Sequence, residues 1–259
     1  MPSSCGDFAT EATDTVQRLS AEQKRTYATA GLTEEDLIAV AFYTTNAAYA
    51  INAVLRDLIY DEVWVAAFKG WGDKAAAAIR KMPAGARNSQ GDAGTLDPTK
   101  SDDAIVALEA VYRNMEWSAF FTPVFEAEWK QGRLIQDNGF MSTTLIKDSY
   151  GADMSVKSTI GNVSDAKVIQ ALSVYPSENE ALLPPGTQLR IDDIVDRDTG
   201  ANIADPAVTH AGDLESHKYD IAMEIVSAPP ATLADATDGR VDASDPLATA
   251  LDSAPPLVG

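Results

Sequence analysis

Cysteine is almost absent from this chain. Cys5 stands alone, so no disulfide can close within the protein and no cysteine-based metal site can be built. Histidine is nearly as scarce. His210 and His217 lie in the segment HAGDLESH, which lacks the ligand spacing of a zinc site. Both read as ordinary loop residues, no metal ligand is assigned, and metal catalysis is disfavoured. Basic charge is short as well: 20 Lys+Arg against 39 Asp+Glu leave a net charge of −19. Such a surface repels nucleic-acid backbones unless a local basic patch intervenes. No run approaches the ~18 consecutive apolar residues of a membrane-spanning helix. MPSSCGDFATEATD has neither the basic start nor the apolar stretch of a signal peptide. The expectation is synthesis in the cytoplasm, with action in another cell requiring delivery by a secretion machine or a phage particle. A strand-linked G-x-G-x-x-G and a P-loop are also missing, which argues against the common nucleotide-binding folds.

The hydrophobic fraction is 45%, enough to bury one large core. The chain divides by texture into a flexible N-terminus (1–14), one domain (15–228) and an acidic tail rich in Ala, Asp and Pro (229–259), whose composition reads as disordered. Residues 15–30 read as a charged helix. Thr33, with Asp36 three residues on, opens a second helix as a capping box. Leu37, Val40, Ala41, Thr44, Ala47, Ala48, Ile51, Val54 and Leu55 then recur at helical spacing. Residues 62–82 continue helical, with a break expected at Gly70-Trp71-Gly72. Residues 83–100 read as a loop and 101–109 as a short helix capped by Ser101. Beyond residue 110 the runs AVYRNMEW, GFMSTTL, AKVIQALSVY, EALL, TQLRIDDIV and KYDIAMEIV are strand-like, with turn signals at Asn138-Gly139 and Pro185-Gly186. Helices first and strands afterwards indicate an α+β fold.

Three short stretches carry candidate chemistry. In PSENEALLPPGT, Glu178 and Glu180 are two residues apart, which on a strand places both on one face, where each raises the other's cost of ionising. Alone, such a pair reads as a solvated strand edge. Leu182 and Leu183 would anchor it on a core strand, and Pro185-Gly186 fits a type II turn that returns the chain as the next strand. In NGFMSTTL, Phe140 precedes the hydroxyls of Ser142, Thr143 and Thr144. In AVYRNMEW, Arg113 interrupts an apolar start and needs an anionic partner, either a structural carboxylate or a ligand phosphate. By that segment alone the carboxylate is the better reading.

Taken in order, Arg113, then Phe140 with Ser142-Thr143-Thr144, then Glu178-Asn179-Glu180 before LLPPGT, the chain resembles the R-S-E class of mono-ADP-ribosyltransferases, the arginine-modifying toxin and effector type. AFYTTNAAYAINAVLRD (41–57) resembles that family's helix with a Tyr-Thr pair, an Ile-Asn and a Leu-Arg. The resemblance spans residues 15–228. It implies a helical N-terminal half packed on a split β-sheet core, NAD as co-substrate, and an arginine of a target protein as acceptor. By the same resemblance Arg113 binds the NAD phosphate and ribose, and Phe140 packs at the nicotinamide end. Ser142 holds the ribose and orients Glu180. Glu180 stabilises the oxocarbenium-like transition state, and Glu178 prepares the incoming guanidinium. Asn114, Thr143 and Thr144 complete the implied NAD site, and Tyr175 to Ser177 belong to the loop that recognises the target. Thr144 stands where the family usually has Ser, and Asn114 where Gly is frequent, so the pocket there departs from the family pattern. An NAD glycohydrolase, a transferase to a nucleic-acid acceptor and a catalytically inactive structural protein with this fold remain as alternatives. A toxin of this kind, bacterial or from a bacteriophage, would need an immunity protein or a target absent from the producing cell, and the acidic tail could dock a carrier.

Overall fold

The computed structural model describes residues 5–59, 61–83, 86–88, 105–115, 129–147, 154–205 and 217–226. Its first half is five helices: α1 (Cys5–Gln17), α2 (Ala21–Thr29), α3 (Glu34–Tyr43), α4 (Ala47–Leu55) and α5 (Glu62–Lys81). The expectation of a flexible stretch through residue 14 is corrected, because α1 begins at Cys5 and buries Ala12, Thr15 and Val16. The single charged helix expected over 15–30 is two elements. Ser20 starts α2 afresh in a reciprocal cap with Gln23. The cap read from Thr33 is present: Asp36 N–H donates to Thr33 Oγ1 at 3.1 Å and Thr33 N–H to Asp36 Oδ2 at 3.0 Å.

The apolar stripe from Leu37 to Leu55 is not one helix. Thr44 Oγ1 donates to the Ala41 carbonyl and Thr45 Oγ1 to that of Phe42, and Thr45 Oγ1 accepts from Ala47 N–H. Threonine hydroxyls here compete for backbone partners, and the axis turns by 95° between α3 and α4. Conversely, α5 runs unbroken through Gly70-Trp71-Gly72. Gly72 lies where a Cβ would come 3.0 Å from Ile51 of α4, so it serves close helix approach rather than a break. Trp71 stacks on Phe42 at 4.5 Å, which gives that stretch a core role. Among the described residues no single helix is long and apolar enough to cross a membrane.

The second half is β1 (Ala86–Asn88), β2 (Ile105–Ala107), β3 (Ala110–Met115), β4 (Leu134–Asp137), β5 (Met141–Thr144), β6 (Val156–Gly161), β7 (Lys167–Val168), β8 (Glu180–Leu183), β9 (Thr187–Asp196) and β10 (Tyr219–Ile225). The short helix expected at 101–109 is replaced by β2, which pairs antiparallel with β1 inside the expected 83–100 loop. Ile105-Val106, β-branched, suits that ladder better than a short helix. In 166–175 only β7 is a strand; a 3-10 turn follows at Gln170–Leu172. The other strands form an eight-stranded sheet ordered β4-β9-β10-β6-β3-β5-β8-β7. Among the described residues only β6 and β10 pair in parallel. Between β3 and β5 the ladder is reduced to one residue pair, Tyr112↔Thr144. The sheet is therefore split there, as the family resemblance implied. β8 is buried on both faces: Ala181 and Leu183 join the core within the sheet, while Leu182 joins the helical core with Phe140, Ile169 and Leu172. Gly186, at φ +85°, completes the β8–β9 turn, where Thr187 N–H donates to the Pro184 carbonyl at 3.2 Å. The acidic tail at 229–259 lies outside the described residues.

One ion pair ties the two halves together. Arg56, just past α4, donates through Nε and Nη2 to Asp137 Oδ1 and Oδ2 at 2.8 and 2.7 Å, with side chains 6% and 11% exposed. Asp137 Oδ1 also accepts from Gly139 N–H at 2.8 Å, and Asn52 Oδ1 accepts from Phe140 N–H at 2.8 Å. A Cβ at Gly139 would come 2.8 Å from Arg56 Nε and 2.9 Å from Asn52 Oδ1, so only glycine admits this approach. Asp137→Ala is expected to cost about 3–5 kcal/mol, because it removes the bidentate carboxylate from a buried guanidinium. Urea unfolding measures this, and an unchanged midpoint would show that packing alone joins the halves.

Candidate active site

Glu180 opens β8 and is 6% exposed. Its partner across the ladder is Thr144, so residues 180, 182, 142 and 144 share one face. Ser142 Oγ donates to Glu180 Oε1 at 2.7 Å, and Ser173 Oγ donates to Oε2 at 3.4 Å. The three hydroxyls of β5 thus do three different things. Ser142, exposed, holds the carboxylate. Thr143 turns to the opposite face and donates to the Ala181 carbonyl at 2.7 Å. Thr144 donates to the Glu178 carbonyl at 2.9 Å and fixes the backbone ahead of β8.

Glu178 and Glu180 are not two positions of one strand, and that expectation is corrected. Glu178 ends a 3-10 turn, Pro176–Glu178, and Asn179 adopts a left-handed conformation at φ 50° before β8 begins. Asparagine tolerates this region better than most residues. Glu178 is half-buried, and burial raises its carboxyl above the ordinary value. Burial also pushes Glu180 from 4.5 up to about 7; the Ser142 hydroxyl opposes the rise, the Glu178 charge adds to it, and Ser173 opposes it.

Tyr43, at the end of α3, accepts from Asn52 Nδ2 at 3.0 Å. Its phenol is held above its ordinary value, first by burial and then by the Glu180 charge, against the Asn52 hydrogen bond and the charges of Arg56 and Arg113. Tyr43, Glu180, Arg56 and Arg113 therefore share one electrostatic neighbourhood. Arg113 lies on β3 opposite Ser158 of β6. Its neighbour Asn114 faces the other way and lines a shallow depression with Tyr112, Lys147, Lys157, Thr159 and Asp220. The side chain of Asn114 is thus not brought to Glu180. Phe140 is fully buried in the helical core, 4.5 Å from the Tyr43 ring.

Asn52, Arg56 and Ser173 were not among the sequence-derived site residues. Ile51-Asn52 and Leu55-Arg56 did carry a signal through the helix resemblance, whereas nothing local marks Ser173. Away from this site, His217 is not the ordinary loop histidine expected. Its Nδ1 lies 2.9 Å from Asp196 Oδ2 and 3.8 Å from Asp198 Oδ2. Among the described residues these three form the one group with metal-ligating geometry. Asp196 Oδ1 accepts from the Asp198 and Thr199 N–H groups, which makes it the cap of the turn after β9.

Because Glu180 ionises near 4.5 when unfolded and near 7 in the fold, the fold holds more protons between those values. Stability should fall as pH rises through this window, by at most about 3 kcal/mol. Glu180→Gln should remove that loss. Urea unfolding at pH 5 and pH 8 should show the variant gaining on the parent only at the higher pH; an equal difference at both would refute the assignment.

Residues 111–208 match the family model described as ADP-ribosyltransferase exoenzyme. No curated protein matches the chain by sequence. The fold is that of ADP-ribosyltransferase toxins. Plx2a, an ADP-ribosyltransferase toxin from Paenibacillus larvae, superposes with TM-score 0.51 at 18% identity, covering 83% of this chain and 96% of its own. The Clostridium limosum C3 exoenzyme gives 0.51 at 17%, covering 83% and 95%. The type III effector XopAI from Xanthomonas axonopodis pv. citri gives 0.50 at 13%, covering 85% and 88%.

Proposed function

We propose that this chain is a mono-ADP-ribosyltransferase that moves ADP-ribose from NAD to an arginine of a target protein and releases nicotinamide. The family match supports transfer of ADP-ribose from NAD. The observation that carries the finer reading is the pair of carboxylates: Glu180, buried and held by Ser142 at 2.7 Å, with Glu178 close enough for its charge to act on it.

In this reading Arg113 grips the NAD phosphate through its guanidinium fork. Ser142 orients Glu180 toward the nicotinamide ribose, and Thr143 and Thr144 hold the backbone of that wall. The bond between C1′ and the nicotinamide nitrogen breaks, and its electron pair leaves with nicotinamide. Ionised Glu180 faces the positive charge that develops on the ribose, and its low-dielectric setting strengthens the attraction. The acceptor guanidinium has a pKa above about 12 and cannot attack while protonated. Glu178 takes that proton as the guanidine nitrogen bonds to C1′. One carboxylate thus serves the electrophile and the other the nucleophile. A net charge of −19 favours a protein over a nucleic-acid acceptor. The fold shared with a type III effector supports delivery into another cell.

The test is transfer of label from adenine-tagged NAD into a lysate, with samples divided between protease and nuclease. Glu180→Ala should abolish both transfer and nicotinamide release. Glu178→Ala should abolish transfer and leave release largely intact. Arg113→Ala should weaken NAD binding at least tenfold, the loss of one charge-assisted pair. Equal loss of transfer and release in Glu178→Ala would overturn the acceptor assignment, and release without label in the parent would make the protein a glycohydrolase.

A further inference from the structure

A carboxylate has two oxygens, and Ser142 accounts for only one of those on Glu180. The other, Oε2, faces Ser173 Oγ at 3.4 Å. Ser173 is 4% exposed and is the residue that ends the 3-10 turn Gln170–Leu172. Its oxygen already accepts a hydrogen bond from Tyr175 N–H at 3.1 Å, so its own hydrogen remains to be given to Glu180. One residue earlier, Val174 N–H donates to Thr44 Oγ1 at 3.0 Å, and that hydroxyl is itself spent on the Ala41 carbonyl at 2.8 Å. The two successive N–H groups at the root of the segment are thus each held by a hydroxyl. One hydroxyl is anchored on the end of α3, the other on the Glu180 carboxylate. Beyond that root the segment carries Tyr175, 45% exposed, and then Glu178.

We infer that Ser173 is a positioning residue that fixes the second oxygen of Glu180 and, through Tyr175 N–H, ties the segment bearing Glu178 to that carboxylate. The inference rests on the reading of Glu180 as the group that faces the NAD ribose. The coupling works in both directions. An ionised Glu180 accepts from Ser142 and Ser173 together and holds the segment root in place. A Glu180 protonated on Oε2 is a poorer acceptor there, so the hold of Ser173 on the segment root loosens while that of Thr44 is unchanged. The charged and titratable groups around this carboxylate are Glu178 from the 3-10 turn and Tyr43 from α3, with Arg56 and Arg113 acting on the Tyr43 hydroxyl. The Ser173 contact is longer than that of Ser142, so its effect should be the smaller of the two.

The full chain is tested as Ser173→Ala and Ser173→Thr, the second keeping the hydroxyl. Carbon-13 NMR follows the glutamate side-chain carboxyls against pH, and Glu180→Gln identifies the signal of Glu180. Ser173→Ala should raise the proton affinity of Glu180 about threefold to tenfold, less than Ser142→Ala does, and Ser173→Thr should restore it. With NAD and a small guanidino compound as acceptor, Ser173→Ala should lower transfer by a larger factor than nicotinamide release. An unshifted Glu180 titration in Ser173→Ala overturns the inference, as does a shift that threonine fails to reverse. The titration needs no turnover, so a parent protein inactive on NAD would sink the proposed function while still deciding the role of Ser173.

Discussion

The Arg56–Asp137 fork is the constraint on which the rest of the site depends. It is buried, bidentate and flanked by two further contacts of the same patch, Gly139 N–H on Asp137 and Phe140 N–H on Asn52. Burying such a pair contributes little net stability, because desolvation takes back most of the Coulomb gain. What it supplies is register. It sets the end of α4 against the turn between β4 and β5, and β5 carries Ser142. The Asp137 carbonyl also accepts from Gly186 N–H at 2.7 Å, which brings the β8–β9 turn to the same point. The strand holding Ser142 and the strand holding Glu180 are thereby referenced to one carboxylate side chain and its backbone.

Against this frame Glu180 is held in an unfavourable place for a charge. A strand buried on both faces gives it little water, and two hydroxyls with a half-buried neighbouring carboxylate set the balance. Burial there disfavours the charged form, a combination that marks a candidate functional site. Thr143 and Thr144 look interchangeable with Ser142 in the sequence, yet strand alternation sends Thr143 to the opposite face, while Thr144 shares the face of Ser142 but spends its hydroxyl on the Glu178 carbonyl.

Much of this was legible in the amino-acid sequence. The Thr33–Asp36 cap, the Pro185-Gly186 turn and the Ser142–Glu180 contact follow from patterns that are local or carried by the family resemblance. The failures share a cause. Thr44 and Thr45 lie on an apolar helical stripe, and only their hydroxyls' choice of backbone partner breaks it. Gly70-Trp71-Gly72 looks like a break until Ile51 and Phe42 are brought against it. The two glutamates suggested one strand because nothing in S-E-N-E announces that Asn179 turns left-handed. Arg56 and Asp137 are 81 residues apart, and no window on the sequence joins them.

The split in the sheet has a mechanical meaning. Among the described residues one pair, Tyr112↔Thr144, joins β3 to β5, while the ladders on either side are longer. Arg113 stands on one plate and Ser142 with Glu180 on the other. A change in the angle between plates would break few backbone bonds, so the spacing from the Arg113 guanidinium to the Glu180 carboxylate is set across the shortest ladder described in the sheet. A dinucleotide lying across that line would act as a splint, stiffening a joint that the polypeptide leaves pliant.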